Sequence, residues 1–342
     1  MSATIGSKKM KFYLLGHGYD ETRNDSGKGT KTRTISIPNR SYHGAFSQDG
    51  AYCWVSDDGF NGLQKYDTET WTTVSIGSVP SNLDFIIHPT NVSNDICFGY
   101  KSGTAYIFDL STNDIINTGS ISFPISGTTL ADCVLDGNIL RFCTLQQSVA
   151  NNKVISLNID TLAVSSVDVA IIMCGFTSKK NIYCHNLAGW NYKWLGVDNP
   201  SGGNVWGVTA VAYGSAGFPN LNSALCGFGA NNRIYIPSKI DNVWVMAEFD
   251  ATEVSDYETP TPIRSFGTFD SEPRISDPNS IYFIPFSNGR RYASFVTDIG
   301  LFVTDFRDVE KLTDTRHQPL AMTEDMILYR KVDGSGMNIL YY

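Results

Sequence analysis

The sequence predicts an all-β chain built from repeats of one four-stranded antiparallel unit. Three observations carry this. The stretch Gly44 to Gly77 reads as a complete meander of strands and turns, its third turn recurs along the chain at a regular step, and no segment holds a 3.6-residue apolar period for three turns. Composition agrees. Aromatic residues make up 12% of the 342 residues and charged ones only 18%, with 30 glycines, which suits short strands joined by tight turns.

The first unit opens at Ala45-Phe46 and turns at Ser47-Gln48-Asp49-Gly50, where Asp-Gly marks a tight hairpin. Tyr52, Trp54 and Ser56 then alternate with Cys53 and Val55. Gly62 to Tyr66 forms a third strand, Asp67-Thr68-Glu69-Thr70 a turn, and Trp71 to Ile76 a fourth strand. One meander has two faces to bury and cannot bury either alone, so it needs copies of itself. The mark of the third turn is an apolar residue before Asp or Asn. Tyr66-Asp67 recurs as Phe108-Asp109, Leu157-Asn158, Phe249-Asp250 and, more loosely, Thr304-Asp305, with Val197-Asp198 as a weak copy. The mean step is about 48 residues, close to that of a four-stranded propeller blade, which divides the chain into about seven units. Tyr19-Asp20 fits the same register before the first unit.

These residues give the chain a resemblance to β-propellers of the WD40-like and YVTN-like kind. Phe46-Ser47-Gln48-Asp49-Gly50, Tyr52 to Asp57 and Lys65-Tyr66-Asp67 carry it best. No Gly-His/Trp-Asp signature of true WD40 repeats is present. The resemblance implies a seven-bladed β-propeller of four-stranded antiparallel blades, and such a ring fits this length in a single domain. Propellers host unrelated activities, so the fold implies no particular chemistry.

The later units follow the same reading: the second over about Asn82–Ile121, the third over Leu130–Val169, the fourth over Ile171–Tyr213, the fifth over Leu221–Ser265 and the sixth over Ser280–Asp314. Residues 1–9 read as a flexible N-terminal arm and 10–342 as the propeller domain. Met10–His17 and Lys31–Ile37 are strands without partners nearby. Gln318–Met322, Met326–Lys331 and Met337–Tyr342 are strands of an incomplete last unit. Joining the two ends of the chain in one blade closes the ring and removes sheet edges. That leaves five candidate strands for four places, with either Met10–His17 or Met337–Tyr342 as the extra one.

The net charge of −8 argues against a nucleic-acid-binding body. Residues 1–40 nevertheless carry +5 and the remainder −13. Lys8, Lys9, Lys11, Lys28, Lys31 and Arg33 are therefore candidate partner-docking residues, set against a solvated arm as the plainer alternative. No apolar run is long enough to span a membrane, and the N-terminus lacks the apolar run of a secretory signal. The seven cysteines, mostly within apolar strands, read as small buried hydrophobes of a reducing compartment. Cys133/Cys143 and Cys174/Cys184 are spaced to be cross-strand neighbours.

Catalytic signals are weak. His43 and His317 fall just before the innermost strands of neighbouring units and are weak candidates for a metal at a channel mouth, where some propeller lyases use histidines; no cofactor is expected. Carboxylate pairs such as Asp57-Asp58, Asp20-Glu21 and Glu324-Asp325 sit at turns, where Asp accepts backbone N–H bonds. Gly27-Lys28-Gly29-Thr30 lacks the residue order of a phosphate loop, and no Gly-x-Ser-x-Gly elbow occurs. Trp190, Tyr192 and Trp194 alternate and so share one face, as a platform for carbohydrate or protein if wet and as core if not. The expectation is a non-enzymatic structural or binding propeller within a larger assembly, such as a bacteriophage virion component (tail-associated or host-adhesion) built in the host cytoplasm, with possible contact to cell-surface carbohydrate. The alternatives are a hydrolase or lyase acting on polysaccharide and a cytoplasmic protein-interaction scaffold.

Overall fold

The computed structural model describes residues 3–5, 8–10, 32–35, 41–57, 62–92, 94–124, 129–145, 152–169, 172–176, 181–186, 191–196, 228–250, 263–271, 273, 286–288, 292–297, 299–315, 317–323, 325–331 and 336–341. Among them regular structure is entirely β. At the N-terminus β1 (Ala3–Ile5) and β2 (Lys8–Met10) pair as a two-stranded sheet, Ala3 opposite Met10. The segment read as an arm thus contributes both strands, and Met10 ends β2. The rest of the expected Met10–His17 strand lies outside the described residues.

The first unit is a sheet of β4 (Ser41–Phe46), β5 (Tyr52–Asp57), β6 (Gly62–Asp67) and β7 (Thr73–Val74), following β3 (Thr32–Ile35) in the chain. β7 is shorter than the expected Trp71–Ile76. The Asp67 turn runs on to Thr72, whose carbonyl accepts from Asp67 N, so pairing starts late. The second unit comprises β8 (Phe85–Ile87), β9 (Ile96–Lys101), β10 (Thr104–Asp109) and β11 (Ile115–Ser120). The third comprises β12 (Thr129–Asp136), β13 (Ile139–Leu145), β14 (Asn152–Asn158) and β15 (Val164–Val169). The fourth shows β16 (Ile172–Phe176), β17 (Asn181–Asn186) and β18 (Asn191–Gly196); its expected last strand lies outside the described residues.

The fifth unit is β19 (Phe228–Ala230), β20 (Arg233–Ile240), β21 (Val243–Asp250) and β22 (Arg264–Phe269). The sixth is β23 (Phe286–Asn288), β24 (Tyr292–Thr297), β25 (Gly300–Thr304) and β26 (Val309–Thr313). The last sheet runs β27 (Gln318–Met322), β28 (Met326–Arg330), β29 (Met337–Tyr341) and then β3, with Ile339 opposite Arg33. The two ends of the chain therefore share one sheet. β29 is an inner strand of it and β3 the outermost.

The described core lies between sheets, because the first, second, sixth and last sheets each pack apolar side chains against a neighbour on both faces. Phe85, Phe98, Phe123 and Phe142 meet at ring separations of 5.1 to 6.2 Å where the second unit faces the third. Trp54, Leu63, Leu83 and Phe108 join the first unit to the second, and Tyr235, Phe266, Phe295 and Phe306 the fifth to the sixth. Val296, Leu301, Ile327 and Tyr329 join the sixth unit to the last sheet. Phe46, Val55, Leu320 and Ile339 join the last sheet to the first. Strand β4 also lies against β8 and β27, β16 against β12 and β19, and β23 against β27. Gly44 allows one of these approaches: a Cβ there would come within 2.6 Å of Leu328 Cδ2.

Candidate functional site

In the first, second, third and sixth units the third turn is built by its carboxylate or amide. Asp67 Oδ1 accepts from Glu69 N at 3.0 Å and Thr70 N at 2.9 Å. Asp109 does the same for Ser111 N and Thr112 N, both at 2.8 Å, and Asn158 for Asp160 N and Thr161 N, both at 2.9 Å. Asp305 accepts from Arg307 N and Asp308 N. In the first three units the residue four positions on donates back to the Asp or Asn carbonyl and takes a left-handed conformation: Trp71 (φ 56), Asn113 (φ 68) and Leu162 (φ 59). A glycine would adopt that φ more easily. The larger side chains bring packing instead, since Trp71 and Leu162 lie against neighbouring core clusters. These Asp residues are thus committed to backbone N–H groups. Asp325 likewise accepts from Thr323 Oγ1 at 3.0 Å. Of the expected carboxylate pairs, Asp58, Asp20, Glu21 and Glu324 lie outside the described residues.

The same turns receive side chains from the preceding unit. Trp54 Nε1 donates to Leu110 O at 2.8 Å. Lys65 is buried, with Nζ 2.9 Å from Ser111 O, 2.6 Å from Asn113 Oδ1 and 3.7 Å above the Tyr52 ring. Charge-assisted hydrogen bonds and an aromatic face replace the water this ammonium has lost. Asn117 Nδ2 donates to Ile159 O and Asp160 O across the next seam, and Arg264 Nη2 to Phe306 O across the fifth. The residues share a role, not a type: each donor covers turn carbonyls of its neighbour. Sequence reading took Lys65 only as a strand residue. Its burial has no local signal, because the acceptors lie 46 and 48 residues away.

A second polar node lies on the inner strand β12. Asp132 is buried, and its Oδ1 accepts from Thr90 Oγ1 at 2.9 Å and from Cys133 N at 2.8 Å, while Oδ2 accepts from Phe176 N at 2.8 Å. One carboxylate therefore ties the second, third and fourth units. Asn91 adds a reciprocal pair with Leu135, donating to its carbonyl at 2.9 Å and accepting from its N–H at 2.7 Å. In the fifth unit Glu248 is pinned by Arg264 at 2.5 Å and Arg233 at 3.3 Å. Burial, with the Glu248 charge next, pushes the neighbouring Tyr235 hydroxyl up.

The two candidate histidines have separate aromatic neighbours. The His43 ring lies 5.5 Å from Phe85 at a 45° tilt, and burial lowers its pKa to about 4. His317 stacks on Tyr329 at 4.5 Å. Their elements β4 and β27 are adjacent, yet among the described residues no group of three or more His, Cys, Asp or Glu is placed to hold a metal ion. Cys53, Cys97, Cys133 and Cys143 are free and buried. Cys133 lies opposite Phe142 and Cys143 opposite Asp132, one rung apart and on opposite faces, so the even spacing does not make a disulfide. Desolvation pushes the Cys53, Cys97 and Cys133 thiols up.

Lys8 and Lys9 fall in β2 and Arg33 in β3; Lys11, Lys28 and Lys31 lie outside the described residues. Tyr192 and Trp194 sit in β18 opposite His185 and Tyr183, while Trp190 lies outside the described residues. No helix among the described residues is long and apolar enough to cross a membrane.

No protein-family model matches the chain, and no curated protein matches it in sequence. Solved structures do. The β-propeller domain of Cps50 (Swd1) from Myceliophteria thermophila has a TM-score of 0.50 at 8% identity, covering 92% of this chain and 99% of that one. An oligogalacturonate lyase from Vibrio parahaemolyticus has a TM-score of 0.52 at 12% identity, covering 92% and 97%. At such identities the likeness speaks for architecture alone, and the architecture is that of a β-propeller.

Proposed function

We propose that the chain is a non-enzymatic structural and binding propeller of seven blades, closed where β3 completes the C-terminal sheet, and that it serves as a component of a larger assembly. The observation that carries this reading is where five of the described carboxylates go. Asp67, Asp109 and Asp305 hold turns, Asp132 ties three sheets, and Glu248 is held by two guanidinium groups. An acid or base in hydrolysis needs a carboxyl facing substrate across a pocket. These groups face the protein's own N–H and guanidinium donors. Seams locked in this way suit a rigid ring that presents loops. The blade count and closure are supported by seven sheets in chain order and by contact between the last sheet and the first.

The finer assignment is a bacteriophage virion component, tail-associated or host-adhesion, assembled in the host cytoplasm. It rests on the composition, the buried free thiols and the basic leading segment, not on the structural neighbours. The other proteins of the particle would be its partners, and cell-surface carbohydrate a ligand for a host-adhesion form. Proteomics of intact particles, with the size of the purified protein alongside, tests it. Fixed stoichiometry in a particle is the expected result. A free monomer that joins no particle overturns it.

The rival reading is a hydrolase or lyase on polysaccharide, prompted by the shared fold of the lyase neighbour and by the proximity of β4, which bears His43, to β27, which follows His317. On the structural reading, oligosaccharide turnover is absent in the native chain. Turnover that a His43→Ala/His317→Ala variant abolishes without loss of fold would favour the enzyme.

A further inference from the structure

We infer that the seam between the sixth unit and the last sheet is a gate, which opens to water more readily than the first–second and second–third seams. The gate is a property of the sheets themselves and does not depend on the assembly proposed above.

The reference seams are latched in one way. Trp54 and Lys65 donate to carbonyls in the third turn of the second unit, and Asn117 donates to carbonyls in the third turn of the third. Arg264 does the same for Phe306 O in the sixth. Each latch needs a turn that joins the third strand of a unit to its fourth. In the last sheet the third strand is β29 and the fourth is β3. These come from opposite ends of the described chain and meet by pairing, Ile339 opposite Arg33, so no turn joins them. The sixth unit therefore faces a neighbour without the turn carbonyls that receive a latch elsewhere.

The same seam holds polar atoms that the fold leaves unsatisfied. Along β24, Ser294 shares a face with Tyr292 and Val296, which both pack in the cluster joining the sixth unit to the last sheet. Its cross-strand neighbour Val303 belongs to that cluster too. From the other side comes Asn338, opposite Tyr329 in register and donating through Nδ2 to Tyr329 Oη at 3.1 Å. Ser294 is 0% exposed and Asn338 5%. Among the described residues, however, Ser294 Oγ and Asn338 Oδ1 have no hydrogen-bond partner. Such an atom has given up its water and gained no bond in return. It regains one when the sheets part. Each therefore makes opening about tenfold more favourable than in an apolar seam of the same shape. What opening bares is apolar: Val296, Leu301, Ile327 and Leu340.

Labelling of the full chain by N-ethylmaleimide in native buffer, followed site by site by peptide mass mapping, tests the gate. Val296→Cys places a thiol in it. Native Cys97, in the first–second cluster, and Cys133, in the second–third cluster, are references within the same molecule. The Val296→Cys thiol is expected to react at least tenfold faster than either. Adding S294A removes one unsatisfied atom. Adding Y329F/N338L removes the other together with the hydroxyl it is paired to. Each addition is expected to slow labelling in the gate at least threefold and to leave Cys97 and Cys133 unchanged. Leu340→Cys reads the same seam from the last sheet, should Val296→Cys disturb the fold, and circular dichroism checks that each variant keeps its β signal.

A thiol in the gate that reacts no faster than Cys97 and Cys133 overturns the inference. So does labelling that the apolar replacements leave unchanged or speed up, since the two atoms would then already be satisfied, as by a bound water.

Discussion

Single polar residues hold this chain where apolar packing alone would leave it ambiguous. Asp109 organises its turn by accepting two backbone N–H groups at 2.8 Å, so Asp109→Ala should lose about 1–2 kcal/mol while Asp109→Asn, which keeps the acceptor, loses less; chemical denaturation measures both. Lys65 is a harder case. Its ammonium is buried and bonded to Ser111 O and Asn113 Oδ1, so Lys65→Ala leaves these acceptors without that donor and opens a void. The expected loss is about 2–4 kcal/mol, with Lys65→Met milder because it refills the volume. His43 gives a pH dependence. Burial lowers its pKa from the ordinary 6.5 to about 4, so the unfolded chain binds the proton first as pH falls. The His43 contribution is complete above pH 6.5 and is lost between there and about pH 4. His43→Phe should flatten stability against pH in that window by up to about 2 kcal/mol, the half-buried ring making the full shift an upper bound. A denaturant series at stepped pH would read it, and an unchanged slope would count against a ring held neutral by the fold.

Among elements, the seams between sheets matter more than the sheets. The first, second, sixth and last sheets are apolar on both faces, so a strand there is stabilised by the neighbouring blade as well as by its hydrogen-bonded partner. β4 shows this. Gly44 lets the strand come close to Leu328 of the last sheet, and a Cβ would sit 2.6 Å from Leu328 Cδ2. Gly44→Val should therefore lower stability by roughly 2–3 kcal/mol through overpacking, whereas Leu328→Ala in the same background should recover part of the loss. A double-mutant cycle by thermal or chemical unfolding measures that coupling. The latches from one blade to the next turn repeat in role at three seams with three different donors, Lys65, Asn117 and Arg264. A turn that must offer carbonyls to its neighbour is held more tightly than one that merely reverses the chain.

At the scale of the molecule, the question is which parts move together. Asp132 collects donors from the second and fourth units while lying on the third. Its removal is expected to loosen three blades at once: in Asp132→Ala, hydrogen exchange should rise at Thr90, at Cys133 and at Phe176, and not only beside the substitution. An increase confined to β12 would mean that the carboxylate is local in effect. The four described buried cysteines lie in the described core with thiols pushed up or wholly buried, so a thiol reagent should label them only as the sheets separate. Fast labelling in native buffer would contradict that placement.

Much of the architecture is written locally. Alternation in Tyr52–Ser56, the Asp-Gly hairpin and the recurring apolar-Asp turn depend on neighbours along the chain, so they identify the strands, their order and the repeat from residues alone. The joining of the chain ends was also inferable, because both ends had strands and neither had a full blade. Which strand was surplus was not, since Met10–His17 and Met337–Tyr342 compete for a place that only pairing decides, and the latter is paired on both sides as β29, between β28 and β3. The candidate site was less legible. Lys65, Asp132 and Glu248 look like ordinary strand residues, and their roles arise from acceptors or donors some 15 to 48 residues away, brought near by blade stacking. The sequence by itself determined the repeat, the all-β class and the split of charge. Only the tertiary structure decided which polar groups are consumed inside the seams and which carboxylates stay exposed, because burial and pairing are properties of the faces that meet.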